Sequence, residues 1–447
     1  MLIPVIGLEV HIELNTKSKM FCGCANKPFG EEPNTLTCPV CFGLPGVLPV
    51  PNKAAVESTI LLGLALECTI NENSFFERKN YFYPDLPKGY QISQYQKPLC
   101  IGGRFDVRNS KLDREVRNTE IRINRIHQEE DTAKLLHEGD KTLIDFNRSG
   151  VPLTELVTEA DFRNAATAKQ FLKELARLIR CLKISEADME KGSMRLEANI
   201  SVQEEGCFEV REAKVWPIGD YRLNPKVEVK NINSFRFVEK AINYEIKRQT
   251  DLINKGQKIV QETRGYNEST SQTYSQREKE EAHDYRYFPE PDIPPLRFGA
   301  EDVEKIRARL PELPSQKVAR WVGQGVKPAD AEVLVENEDL IKLFDLVAVA
   351  YKAPAVANLL VNRPEFRQKS VSEIIEYLET AVKKPQLAKE EITKICEQVV
   401  SENLKAVEDY RKGKEAGLKF LVGQVMRFSQ GLANVSEVST ELKELLD

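Results

Sequence analysis

An α+β fold is predicted for this 447-residue chain, with an antiparallel sheet followed by helices, and three observations predict it. Segments with one polar and one apolar face recur through residues 1–294. Helical patterning rich in Leu, Glu, Lys and Ala takes over afterwards. Between the two lies YFPEPDIPPL (287–296), a proline-rich stretch that no helix or strand interior tolerates. The predicted divisions are 1–294, then two all-helical domains at 295–370 and 371–447.

The elements follow in order. GLEVHIEL (7–14) alternates Leu8, Val10, Ile12 and Leu14 with Glu9, His11 and Glu13, the pattern of a strand with two opposed faces. Val56, Ile60 and Leu64 mark a helix, and Asn52 is placed to cap it. TEIRINRIHQEED (119–131) alternates at first and loses the pattern near Arg125. Phe171, Leu172, Leu175, Leu178, Ile179 and Leu182 have helical spacing. GSMRLEANISV (192–202) puts Arg195, Glu197, Asn199 and Ser201 on one face, and KVEVKNINSF (226–235) does the same with Lys226, Glu228 and Lys230. Several half-polar strands imply an antiparallel sheet with one face left open.

Composition narrows the function classes. The formal net charge is −5, so nucleic acid would have to be met by local basic patches. The longest apolar run, ILLGLAL (60–66), is far too short to span a bilayer, and no basic leader opens the chain. A cytoplasmic protein with no membrane partner is expected. Nine cysteines, an odd number spread over a long chain, argue against a disulfide framework. The four histidines are His11, His127, His137 and His283.

Four of the cysteines cluster. Cys22 and Cys24 form a Cys-x-Cys pair, and Cys38 and Cys41 a Cys-x-x-Cys pair further on, with glycines and Pro39 to bend the chain. Four thiolates on two tight turns suit tetrahedral zinc with no open position, so the expected role of the 22–41 knuckle is structural.

The strand face of Glu9, His11 and Glu13 reads either as a solvated edge or as a metal bed. Like charges side by side repel, and this strand supplies no cation of its own. Bound divalent ions would remove the repulsion. HQEED adds His127, Glu129, Glu130 and Asp131. Glu155 stands in an apolar stretch where a lone carboxylate is costly, and Glu197 lies on another polar face. With Lys79 and Lys230 as separate cations, this set points to phosphate chemistry through magnesium. Each lysine reads equally well as a surface residue. The sequence contains no P-loop, no Gly-x-Gly-x-x-Gly fingerprint and no Gly-x-Ser-x-Gly elbow.

Several motifs are distinctive together: IGLEVHIEL (6–14), RKNYFYPDLPKGYQISQ (78–94), IDFNRSGVPLTEL (144–156), VKNINSF (229–235), DYRYFPEPDIPPL (284–296) and FLVGQVMRFSQGLANV (420–435). In this order, over nearly the whole chain, they closely resemble the B-subunit family of the tRNA-dependent amidotransferases. The resemblance implies a cradle domain similar in fold to glutamine synthetase and the guanido kinases, then a helical domain and a tail that grips tRNA. It implies ATP- and magnesium-dependent amidation of Glu-tRNA(Gln), Asp-tRNA(Asn) or both, in a heterotrimer with a glutaminase (amidase) A subunit and a small C subunit. By motif position His11, Glu130 and Glu155 look like one magnesium site, and Glu9 and Glu197 like a second. The four cysteines match a zinc site found in some members. Two departures stand out. Thr154 replaces an aliphatic residue, and the segment around VKKPQLAKEEITK (382–394) is short of the family pattern.

The chain shows no recognisable glutaminase site, so ammonia has to come from a partner. An acyl phosphate would hydrolyse in open water, which favours a closed channel within a stable complex. In the tail, Arg411, Lys412, Lys414, Lys419 and Arg427 are candidates to meet tRNA phosphates. Glu408, Asp409 and Glu415 are interspersed, so a charged helix face is the alternative reading. RNA contact of this kind reads shape rather than a base code.

Overall fold

The computed structural model describes residues 1–27, 29–107, 119–212, 214–278, 284–383, 387–429 and 432–446. His283 and residues 384–386 of the shortened tail segment lie outside these. Grouping by Cα proximity divides the chain into two compact units, Met1–Arg320 and Trp321–Asp447.

The first unit is built on a ten-stranded sheet. Its main path runs Gln272–Glu278, Glu262–Asn267, Val227–Lys230, Met194–Glu204, Leu2–Glu13, Pro152–Thr158, Thr119–Glu130, Cys100–Ile101 and Thr69–Ile70. Neighbours are antiparallel except Val227–Lys230 beside Glu262–Asn267, which are parallel. The strand Leu2–Glu13 is central, pairing along its length with Met194–Glu204 and over its second half with Pro152–Thr158. Its alternation does what period two requires: Ile6, Leu8, Val10 and Ile12 are fully buried, and Glu9, His11 and Glu13 take the other face.

The buried face is covered by helices. Lys53–Ala65 starts where Asn52 accepts hydrogen bonds from the amides of Ala54 and Ala55. Ala165–Cys181 is capped by Asn164, and Phe235–Asn254 by Ser234. Their apolar stripes share one core with the sheet: Ile60 and Leu64, Phe171 and Leu175, Val238 and Ile242. Burial on this scale, at roughly 25 cal/mol per Å² of apolar surface, is what holds the sheet against its helices.

The proline-rich stretch is part of this unit. Phe288 and Pro289 pair with Arg78 and Glu77, and buried Glu290 accepts from Arg78 Nε at 2.6 Å and from Nη2 at 2.8 Å. The segment beyond it packs here too, because Ile306, Leu310 and Leu313 form an apolar stripe that joins the same core.

The second unit is helical. In its first part Trp321 is fully buried, meets Phe344 edge-on at 4.9 Å and donates to Asp345 through Nε1 at 2.9 Å. The helix Val371–Lys383 belongs with it, since Tyr351 Oη donates to the Leu378 carbonyl at 3.2 Å. The helices Lys389–Glu402, Leu404–Arg411, Glu415–Phe428 and Val435–Leu446 share a separate apolar cluster around Cys396, Val399, Leu421 and Val438. Among the described residues no helix is long and apolar enough to cross a membrane.

Candidate active site

Register lines up the acidic face. His11 stands opposite Glu155 on one side and Arg195 on the other, and Glu155 stands opposite His127. In the next row Glu9 stands opposite Glu197. Directly paired residues in an antiparallel sheet project from the same face, so these side chains meet.

His11 Nε2 lies 3.4 Å from Glu155 Oε2 and 3.7 Å from Glu129 Oε1. His127 Nε2 lies 3.4 Å from the same oxygen of Glu155 and 3.9 Å from Glu129 Oε2. One ligand atom each from His11, Glu129 and Glu155 falls within 4.8 Å of the others, a spacing that a divalent cation can bridge. Glu130 is not in this cluster. It is next to Glu129 on a continuous strand and therefore projects to the opposite face, where Lys88 Nζ and the Ile92 amide donate to its Oε1. On this strand the carboxylate that joins His11 and Glu155 is Glu129, and Glu130, which the motif assigns to magnesium, lies apart from them.

The other candidates fall as follows. Glu9 accepts from Asn199 Nδ2 at 2.7 Å. Glu197 accepts from Lys230 Nζ at 2.8 Å, and Lys230 also lies 3.1 Å from Glu228. Lys230 is thereby engaged in neutralising the bed. Lys79 lies over the Tyr285 ring at 5.0 Å. Burial works against its charge, but Glu129, Tyr287 and Glu155 hold its pKa above the ordinary lysine value. Glu13 is no solvated edge. It meets Asp131, which accepts from Arg195 Nη2 at 2.6 Å and lies 3.7 Å from Arg148 Nε. His11, Lys79, Glu129, Arg195, Glu197 and Lys230 all line one cleft of about 1650 Å³.

The proton balance of the bed is unusual. Burial opposes charge on His11, but the hydrogen bond and charge of Glu155, then Glu129 and Glu197, push its pKa up to about 9. Burial, followed by Asp131, pushes Glu13 up to about 8. Burial pushes Glu197 up to about 7 against the pull of Lys230. Glu155 goes the other way: burial is outweighed by His127 and His11, which hold it well below the carboxylate range. A raised pKa means the fold favours the proton. The stabilisation from Glu197, Glu13 and His11 is complete below their unfolded values and is lost as pH rises through about 7, 8 and 9 respectively. The depressed group Glu155 titrates in acid and leaves that window untouched. The metal-free chain is therefore expected to melt at a lower temperature at pH 9 than at pH 6. Millimolar magnesium, which competes with those protons, should raise the melting temperature more at pH 9. Melting curves with magnesium or chelator at both pH values check this, and an equal magnesium shift at both would refute it.

The cysteine knuckle is assembled as its spacing suggests. Cys41 Sγ lies 3.2, 3.6 and 3.7 Å from the sulfurs of Cys22, Cys38 and Cys24. A tetrahedron with metal–sulfur bonds of about 2.3 Å has edges of about 3.8 Å, so the four thiols fit a metal ion. Lys19, fully buried, points its amine at Cys41 Sγ, 3.6 Å away. A buried cation there offsets the negative charge of four thiolates. The knuckle is tied to the turn ahead of the Glu155 strand, as Met20 N donates to the Gly150 carbonyl at 2.7 Å. Gly150 has φ of +82°, which only glycine adopts at little cost.

In the tail, Arg411, Lys412, Lys414, Lys419 and Arg427 are all exposed. Lys412 and Lys414 lie 3.5 and 2.9 Å from Glu408 and Asp409, and Arg411 Nε donates to the Leu446 carbonyl at 3.3 Å. Lys419 and Arg427 share the helix Glu415–Phe428 with exposed Phe420 and Phe428, aromatic residues that charge-based reading passes over.

An open sheet face on which carboxylates and imidazoles converge beside lysines and arginines offers the residue types that enzymes use to handle charged substrates. Comparison with known proteins gives the family. A family model described as the GatB/GatE catalytic domain matches residues 4–304, and one described as the GatB domain matches 317–446. The B subunit of the aspartyl/glutamyl-tRNA(Asn/Gln) amidotransferase of Persephonella marina is 42% identical over 489 residues, covering 99% of each chain. The proteins of the same name from Thermoanaerobacter sp. and Caldanaerobacter subterraneus are 42% and 43% identical, each covering 99% of this chain and 98% of their own. The chain belongs to this B-subunit family of amidotransferases. The alignments run longer than its 447 residues, so these relatives carry residues that it lacks.

Proposed function

We propose that the chain activates and amidates the side chain of Glu-tRNA(Gln), Asp-tRNA(Asn) or both, using ATP and ammonia from a partner glutaminase. The observation that carries this reading is the convergence of His11, Glu129 and Glu155 beside Lys79 in a cleft wide enough for the end of a charged tRNA. A carboxylate resists ammonia because oxide would have to leave. Transfer of the γ-phosphoryl group of ATP to the carboxylate gives an acyl phosphate and ADP, and ammonia then displaces phosphate to leave the amide. Lys79 stays protonated at neutral pH and can hold the acceptor carboxylate or a phosphate oxygen.

In this reading His11, Glu129 and Glu155 would hold one magnesium ion, and Glu9 and Glu197 a second. Magnesium, when bound, neutralises charge on the transferring phosphate. The first unit is then a cradle of the glutamine synthetase and guanido kinase type, the four cysteines hold structural zinc, and residues 387–446 form the tail that meets tRNA through Lys419, Arg427 and their neighbours. The setting is a cytoplasmic heterotrimer with the amidase A and small C subunits.

The test is ATP hydrolysis by the complex with magnesium, with and without Glu-tRNA(Gln). Hydrolysis that rises with the charged tRNA supports the reading. Stimulation by free glutamate instead would make the chain a small-molecule ligase and overturn it.

A further inference from the structure

Between Glu13 and Lys53 the chain forms neither helix nor strand among the described residues, apart from an isolated bridge of Ser18 with Ala25. A stretch of this length has no repeating hydrogen bonds to keep its shape, and such stretches inside a domain usually serve a purpose. The four clustered cysteines lie within it, so bonds to a metal ion are the ones that would fix it.

This irregular stretch grips the turn that leads into the Glu155 strand. Asn34 N donates to Asp145 Oδ1 at 3.0 Å and its Nδ2 to the Ile144 carbonyl at 3.1 Å, while Phe146 N donates back to Asn34 Oδ1 at 2.8 Å. Leu36 N donates to Asn147 Oδ1 at 2.8 Å, and Asn147 Nδ2 to the Glu32 carbonyl at 2.7 Å. Ser149 Oγ donates to the Cys41 carbonyl at 3.4 Å. Lys19 Nζ, beside the sulfur of the same cysteine, donates to the Phe146 carbonyl at 3.3 Å.

The same turn joins the two strands that carry the acid bed. Gly150 N donates to the Asp131 carbonyl at 3.0 Å and Asp131 N to the Val151 carbonyl at 2.8 Å. The strand end that bears Glu129 and the strand start ahead of Glu155 close on each other there. The knuckle reaches that strand end from a second side. A Cβ on Gly43 would lie 2.1 Å from Lys88 Cγ, so only glycine lets the knuckle backbone press on the stem of Lys88, whose amine donates to Glu130.

We propose that the cysteine knuckle and the acid bed are linked metal sites: zinc held by the cysteines fixes the turn 144–151, and the turn holds Glu129 and Glu155 at the spacing that a cation in the bed requires. This rests on the proposed function, in which the bed takes a divalent cation. Sheet register brings the two carboxylates to one face, and the knuckle sets how firmly they stay there. Ligands held in place in advance bind more tightly, because less freedom is lost on binding. The linkage is reciprocal, so a cation in the bed must tighten the knuckle's hold on zinc by the same factor.

The probe is manganese, titrated into the complex loaded with one equivalent of zinc per chain and into the zinc-depleted complex, and followed by loss of the free ion's paramagnetic resonance signal. The zinc-loaded complex is expected to bind manganese about tenfold more tightly. Zinc retention against a zinc-selective chelator should strengthen by the same factor at saturating manganese, a measurement that needs no zinc-free protein to stay folded. Asn34→Gly suits the backbone there, at φ of +62°, and removes only the side-chain bonds to Ile144 and Phe146. It is expected to keep zinc as the wild type does and to cut the linkage to within about threefold. If manganese binds equally with and without zinc, and zinc retention ignores manganese, the sites are independent and the inference falls alone. If Asn34→Gly keeps the full linkage, the turn is not the route and the assignment is overturned. A complex that binds manganese but takes up no zinc also overturns it. A zinc-loaded complex that binds no manganese overturns the proposed function and this inference with it.

Discussion

Glu129→Gln is expected to lower tRNA-dependent ATP hydrolysis by about a hundredfold to a thousandfold, while Glu130→Gln keeps it within about tenfold of the wild type. The two residues are adjacent, and the motif by itself favours Glu130. Register decides otherwise. His127 faces Glu155, so on a strand of period two Glu129 faces the bed and Glu130 faces away. Removing the Glu129 charge takes away one of three groups poised to bridge a cation. Removing the Glu130 charge strands Lys88, whose amine is largely buried against it. That loss appears first as a lower melting temperature, because an unpaired buried ammonium destabilises the fold. Steady-state hydrolysis and thermal melting of both variants in the assembled complex separate the two effects. If Glu130→Gln were the inactive one and Glu129→Gln the active one, the register would be wrong at this strand end, and the motif would be the better guide.

This pair also marks how far the sequence could be read. The Glu9, His11 and Glu13 face follows from strict alternation, and the cysteine knuckle from spacing. Asn52 was recognisable as a cap because a helix start leaves amides that only a side chain nearby can satisfy. These are local signals. Glu129 was not legible because alternation fails near Arg125, and two neighbouring glutamates then look equivalent until a partner strand fixes the register. Glu13 looked like a solvated edge because its partner, Asp131, arrives from a strand more than a hundred residues away. Lys19 was passed over altogether, yet it is fully buried against Cys41. Lys230 was recognised as a site residue, but whether its charge serves substrate or neighbouring carboxylates depends on Glu197 and Glu228, again a matter of strand pairing. What escaped the sequence is in each case the charge partner, since pairing is set by sheet topology and topology is non-local.

Asp131→Asn is expected to destabilise the first unit by about 3 kcal/mol, a fall of roughly 5 °C in melting temperature for a unit of this size. Asp131 is almost wholly buried where Arg195, Arg148 and Glu13 converge. The substitution preserves shape but removes the anion that both arginines face. They line the cleft and can recover some hydration, which keeps the expected loss at the low end for a broken buried pair. The sign of the pH dependence follows from the ionisation of Asp131. Burial alone would raise its pKa, but Arg195 and Arg148 outweigh burial and hold it below the ordinary carboxylate range. Its stabilisation is therefore fully present above the unfolded value, near 3.8, and is lost as pH falls through the lower folded value. The gap between variant and wild type should close below about pH 4. The same change reaches the site. Arg195 stands opposite His11, and once released from Asp131 its guanidinium is free to turn toward the bed. There it would compete with cations for Glu13 and its neighbours. Magnesium should then stabilise the variant less than it does the wild type, at pH 8 where the bed is charged. A variant that melts with the wild type at pH 7 would mean that Asp131 is held by its backbone contacts alone. A variant that melts lower but keeps the full magnesium shift would mean that Arg195 serves the fold and not the bed.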